Sequence, residues 1–163
     1  MAGGALYNNL DYSFTVGHED GGFAPPAETP GGGSAALRRQ LHHLRAFFGS
    51  IPFWRMEPVK DGMVEGPPGA SVRSLAEAGK IYAVYIHHGR PVKGAKPQYQ
   101  VDATAAARQV RLRLPAGRYT AAWHDTKSGR DVKTENFDAR ETEPAALTSP
   151  VYVEDIALLV RRK

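Results

Sequence analysis

Residues 109–123, QVRLRLPAGRYTAAW, hold this chain to one kind of architecture. Val110, Leu112 and Leu114 alternate with Arg111 and Arg113. That two-residue period is the mark of a strand with one dry face and one wet one. Pro115-Ala116-Gly117 then supplies turn chemistry. Tyr119, Ala121 and Trp123 resume the alternation on the way back, which puts Trp123 in the core rather than on a ligand platform. A strand that is apolar on one side needs a second layer of protein against it.

The same texture runs from about residue 71 to the end. SVRSLAEAGKIYAVYIHHG reads as two strands around a Gly79–Lys80 turn. IYAVYI (81–86) is apolar on both faces, as a central strand is. HDTKSGR is a turn, with Gly129 at the positive-φ position. DVKTENF (131–137) is a polar edge strand, and DIALLVRR (155–162) is a closing strand, apolar on both sides at its centre. Six or seven short strands joined by tight turns predict an antiparallel β-sandwich over 71–163.

The front of the chain differs. GGFAPPAETPGGGS (21–34) has the composition of a flexible connector. A helix over 34–48 follows. Ser34 is its N-cap, and Leu37, Leu41, Leu44 and Phe48 fall on one face, which Phe47 widens. Gly49 stands where a left-handed C-terminal residue is wanted, and Pro52 forbids continuation. Arg38, His42 and Arg45 share a second face, expected to be solvated. Residues 51–70 read as a proline-punctuated crossing, with Phe53, Trp54 and Met56 expected to be packed. The chain thus divides at 1–50, 51–70 and 71–163.

Composition narrows the function. The net charge of +4 is spread along the chain, apart from Arg38, Arg39, His42, His43 and Arg45. That cluster lacks the dense basic stripe of a nucleic-acid binder. There is no cysteine, so disulfide frameworks and thiolate zinc sites are excluded. No window approaches 18 consecutive apolar residues, so no membrane-spanning helix is expected. There is no G-x-S-x-G elbow and no phosphate-binding loop. The six histidines, His18, His42, His43, His87, His88 and His124, show no ligand spacing with a matching carboxylate. No metal and no cofactor is therefore expected.

The polar cluster NNLDYSFTVGHEDG (8–21) stands out. Asn8, Asn9, Asp11, Tyr12, His18, Glu19 and Asp20 are candidate substrate-binding residues. Sugar hydroxyls want Asn, Asp and His partners, and a ring face wants an aromatic. Cleaving a glycosidic bond needs two carboxyls about 5 Å or roughly 6.5–9.5 Å apart. Glu19 and Asp20 are neighbours and would point apart in an extended loop. The competing reading is that these residues cap turns and His18 packs.

In order, GGALYNNLDYSFTVGHEDG, GGGSAALRRQLHHLRAFF, IPFWRMEP, LAEAGKIYAVYIHHG, LPAGRYTAAWHDTKSG and DIALLVRR resemble the carboxy-terminal portion of a group of glycoside-hydrolase-like proteins. In that group a (β/α)8 barrel is followed by a small β-sandwich labelled a collagen-binding domain of a collagenase. The resemblance covers nearly the whole chain and is most specific in the opening stretch and around WHDTKSG. It implies a mainly β fold, an antiparallel β-sandwich preceded by one α-helix and a remnant of the barrel. GGALYNNLDYSF would be the last barrel strand, TVGHEDG its loop at the active-site rim, and 34–48 the last barrel helix. The acid/base and nucleophile carboxylates are expected on strands four and seven, which this chain does not contain, so no catalytic residue is carried over.

The function implied is a non-catalytic accessory domain that braces the barrel or binds carbohydrate weakly. Two alternatives remain: part of an active glycosidase completed by missing barrel strands, or a protein-binding module for a collagen-like ligand. The parents look exported, whereas MAGGALYNN has no signal-peptide character. The chain is thus expected to be cytoplasmic or to lack its natural front end. Burying each of the helix's five apolar side chains is worth about 1.5–3 kcal/mol. That stripe is expected to pack on the sandwich or against a second copy of the chain.

Overall fold

A computed structural model describes residues 11–26, 32–94 and 98–163. The expected strand over 3–7, with Asn8 and Asn9 behind it, lies outside the described residues. Among the described residues one α-helix, α1 (Ala35–Gly49), precedes eleven strands. They are β1 (Glu57–Pro58), β2 (Val64–Glu65), β3 (Ser71–Glu77), β4 (Ile81–His87), β5 (Gly89–Pro91) and β6 (Tyr99–Val101). The rest are β7 (Gln109–Leu112), β8 (Gly117–Asp125), β9 (Arg130–Ala139), β10 (Ala145–Thr148) and β11 (Asp155–Arg162). A six-stranded antiparallel sheet runs β1-β3-β4-β11-β8-β9, a three-stranded sheet runs β10-β7-β2, and β5 and β6 form a ribbon.

The expected antiparallel sandwich is present. Its core lies between the two larger sheets. Tyr82, Val84 and Ile86 of β4, Ile156, Leu158 and Val160 of β11, and Tyr119, Ala121 and Trp123 of β8 meet Val110 and Leu112 of β7 and Leu147 of β10. Register places Leu158 between Val84 and Trp123. The indole N–H of Trp123 reaches the Glu135 carboxylate at 3.3 Å, and the Tyr119 hydroxyl donates to the Pro115 carbonyl at 2.9 Å. These bonds satisfy the polar ends of two large buried rings. Gly79 and Gly129 take positive φ in the turns β3–β4 and β8–β9, and β9 lies at the sheet edge, as expected.

β4 and β11 are apolar on both sides because the outer face of the large sheet is also covered. Ile51, Met56, Leu75, Ile81, Ala83 and Leu159 form a second cluster there, with Phe47 and Phe48 of α1 packed on it. The helix begins at Ser34, whose hydroxyl accepts the Leu37 N–H at 3.0 Å. It ends one residue later than expected. Gly49 belongs to the helix, and Ser50 closes it with φ −82°, its N–H shared among the last carbonyls. Leu37, Leu41 and Leu44 are only half-buried, and no residue of α1 is fully buried.

Three other expectations are corrected. Met56 is packed, but Phe53 is 51% and Trp54 73% exposed. The 3-10 turn Phe53–Arg55 aims those two rings outward while the backbone turns under the sheet. Arg38 is not on a solvated face, since loop 11–26 folds over it, whereas His42 and Arg45 are exposed. The additional strands β1, β2, β5, β6 and β10 have two to four residues each, too short for alternation to register in the sequence.

Candidate functional site

Loop 11–26 is held by one guanidinium. Arg38 donates from Nη1 to the Asp11 carboxylate at 3.0 Å and to the Ser13 hydroxyl at 2.6 Å, and from Nη2 to the Gly21 carbonyl at 3.0 Å. Its charged end also lies 4.7 Å from the Phe14 ring centroid, within cation–π range. Gly21 must be glycine, because a Cβ there would stand 2.7 Å from both Arg38 and Phe14, at φ +74°. The Ser13 hydroxyl and N–H, and then Arg38, hold the Asp11 carboxyl below its ordinary range.

The remaining candidates in the loop are turned toward its own backbone. Glu19 accepts the Gly17 N–H at 3.0 Å, which lowers its pKa, and Asp20 accepts the Gly22 N–H at 2.8 Å. His18 is exposed and lies tilted against Phe23, with centroids 5.5 Å apart. Tyr12 is exposed. The structure thus gathers Asp11 with Ser13 and Arg38, but does not turn the Glu19 and Asp20 carboxylates toward each other. Asn8 and Asn9 lie outside the described residues. Arg38 and Ser13 are the site residues that sequence reasoning missed. Arg38 stands 27 positions from Asp11, with no local spacing to betray the pair.

A second concavity lies between α1 and the outer face of the large sheet, about 620 Å³ in volume. Its floor changes character from row to row. Leu75, Ala83 and Leu159 pair in register under Phe47 and Phe48. The next row is Arg73, Tyr85, Ala157 and His124, and the last is Ser71, His87 and Asp155. Asp155 accepts the Tyr85 hydroxyl and the Thr126 hydroxyl, each at 2.9 Å. Burial, with Asp155 beside it, raises the Tyr85 hydroxyl above its ordinary value. Lys127 and Glu154 form an ion pair at the mouth.

Tyr85, His87 and Tyr99 make a row of nearly parallel rings, with centroids 6.1 and 5.8 Å apart. His87 Nδ1 accepts the Gly89 N–H at 2.9 Å and lies 3.1 Å from the Tyr99 hydroxyl. That fixes the imidazole proton on Nε2. A Cβ at 89 would come within 2.1 Å of His87 and 2.6 Å of Tyr99 and would displace those rings from the row. The sequence held one signal for this surface. The outward positions of β4 read Ile81, Ala83, Tyr85, His87, passing from apolar to hydrogen-bonding along one face.

No family model matches the chain, and no curated protein sequence matches it. Among the solved structures that resemble it in fold are two glycoside hydrolases. One is described as a glycoside hydrolase, at 15% identity and TM-score 0.52, over 86% of this chain and 31% of that one. The other is a glycoside hydrolase of family 5 from Bacteroides vulgatus ATCC 8482, at 13% identity and TM-score 0.50, over 86% of this chain and 30% of that one. At such identities the likeness is one of fold. The chain spans under a third of the length of these two proteins. Nothing in these likenesses bears on a collagen ligand.

Proposed function

We propose that this chain is a non-catalytic accessory part of a larger glycoside-hydrolase-like protein, and that its sandwich braces the helix which precedes it. The observation that carries this reading is the second apolar cluster. Phe47 and Phe48 fasten the C-terminal end of α1 to the sheet, while Leu37 and Leu41, nearer its N-terminus on the same face as Phe48, are left half-exposed. A helix whose apolar face is docked at one end and uncovered at the other suits a part that joins two bodies. The Arg38 clasp adds loop 11–26 to the same unit. The fold likeness to about a third of two glycoside hydrolases supports the assignment to that kind of protein.

Two measurements test it. Hydrogen exchange across 35–49 is expected to rise in a Phe47→Ser, Phe48→Ser variant while the strands keep their protection. Unchanged exchange in the helix would remove the brace. The purified chain is expected to leave chromogenic glycosides intact, and turnover abolished by Glu19→Gln would instead make it an enzyme.

A further inference from the structure

We propose that the concavity between α1 and the large sheet is a saccharide-binding site, shaped for about two neutral sugar units and served by Tyr85, His87 and Asp155 of its lining and by Tyr99, which stacks on His87 beside it. This goes beyond the bracing role and does not depend on it. The surface is also separate from loop 11–26. At 100° per residue, Gln40, His43 and Phe47, which line it, fall on the opposite side of α1 from Arg38.

Size comes first. About 620 Å³ lies within the ~300–1,000 Å³ of small-ligand sites. Lining comes second. Leu44, Phe47 and Ala157 give one apolar wall, and Tyr85, Thr126 and Asp155 give a hydrogen-bonding end. A pyranose ring has the same division, with a C–H face and a rim of hydroxyls. Charge comes third. Arg73 and Lys127 face Glu154 and Asp155 across the same walls, with Lys127 paired to Glu154. The wall carries no net charge, which favours an uncharged ligand over an acidic or basic one. The carboxylates accept hydrogen bonds, so a donor-rich polyol suits them. A proline-rich, collagen-like peptide would bring mostly carbonyl acceptors.

Two features mark this surface as built. Glu154 has φ +66° and is the only non-glycine residue with positive φ among those described. Strain of that kind concentrates at ligand sites. Tyr85 and Tyr99 are 40% and 50% exposed, on a row that a side chain at position 89 would disturb. Tyr85 lines the concavity, and Tyr99, stacked on His87 beside the lining, extends it with an exposed ring of the kind a sugar face stacks on.

Native affinity electrophoresis tests the site. The purified chain is run through gels holding galactomannan, xyloglucan or arabinogalactan, and in parallel through polygalacturonate and gelatin. Retardation by at least one neutral polysaccharide is expected. Tyr99→Ala should weaken it about tenfold, and Asp11→Ala should leave it unchanged. Tyr99 sits on the β5–β6 ribbon outside both cores, so the variant should melt like the parent. If it does not, His87→Gln takes its place. The proposal falls on any of four results: no retardation, retardation by polygalacturonate or gelatin only, retardation that the Tyr99 and His87 variants leave intact, or retardation lost with Asp11→Ala alone. None of these touches the brace, which is read by helix protection.

Discussion

β4 and β11 present two faces that obey different rules. The inner face meets another sheet of the same chain. Tyr82, Val84, Leu158, Val160, Tyr119 and Trp123 are buried almost completely there. The outer face meets one helix and is closed only where Phe47 and Phe48 touch it. Beyond them the floor turns polar and opens to solvent. An inner face is specified by volume and alternation, so it tolerates little change. An outer face is specified by what docks on it, so it can carry both a contact and a concavity.

Truncation should separate the faces most sharply. Trp123→Ala removes the largest inner side chain, satisfied by Glu135, and is expected to cost about 3–5 kcal/mol in denaturant titration. Phe47→Ala on the outer face should cost about 1–2 kcal/mol, because its ring is only half-buried. Equal costs would mean that the helix is as much a part of the core as the second sheet.

Acid should distinguish them next. His88 is buried at the end of β4, its Nε2 2.6 Å from the Tyr152 hydroxyl. Burial, and then the Arg108 guanidinium, hold its pKa below 6.5. The unfolded chain therefore takes up this proton first. The contribution of neutral His88 is present above about pH 6.5 and is lost as pH falls toward the depressed folded value. Stability should fall between pH 7 and 5, and less so in His88→Gln. An identical fall in both would place the acid sensitivity elsewhere.

The smallest effect belongs to the loop. Asp11 has a lowered pKa, so its bond to Arg38 persists at neutral pH and fails as pH drops below its ordinary 3.8 toward the folded value. Arg38→Ala should raise hydrogen exchange at Ser13 and Gly21 with little change in the melting temperature. A large change would make the clasp part of the fold rather than an attachment to it.

The inner face was legible in the sequence. QVRLRL and RYTAAW alternate, IYAVYI and DIALLVRR are apolar throughout, and Gly79 and Gly129 mark the turns. Those signals are local, with a period the eye can follow. α1 was legible for the same reason, through Ser34 and the spacing of its leucines. Its end was not, because Ser50 could close the helix without Gly49 leaving the right-handed region. Phe53 and Trp54 were misjudged because hydrophobicity says what a side chain prefers and not which way a 3-10 turn aims it. In the loop, the polar types were visible, but Asp11 is held by Arg38, 27 positions away, while Glu19 and Asp20 turn to backbone N–H groups of the loop itself. The concavity was invisible for a related reason. Its residues come from α1, β3, β4, β8 and β11 and the turns between them, and no spacing links such distant positions.

β9 is ten residues long and ends the large sheet. Left apolar, such a margin would be a template on which further strands could stack without limit. Arg130, Asp131, Lys133, Glu135 and Asp138 punctuate it with charges of both signs. Growth into fibrils by strand addition would bring identical charges into line from copy to copy. Like charges brought into line oppose further strands on that margin, and the sheet stops at its own last strand.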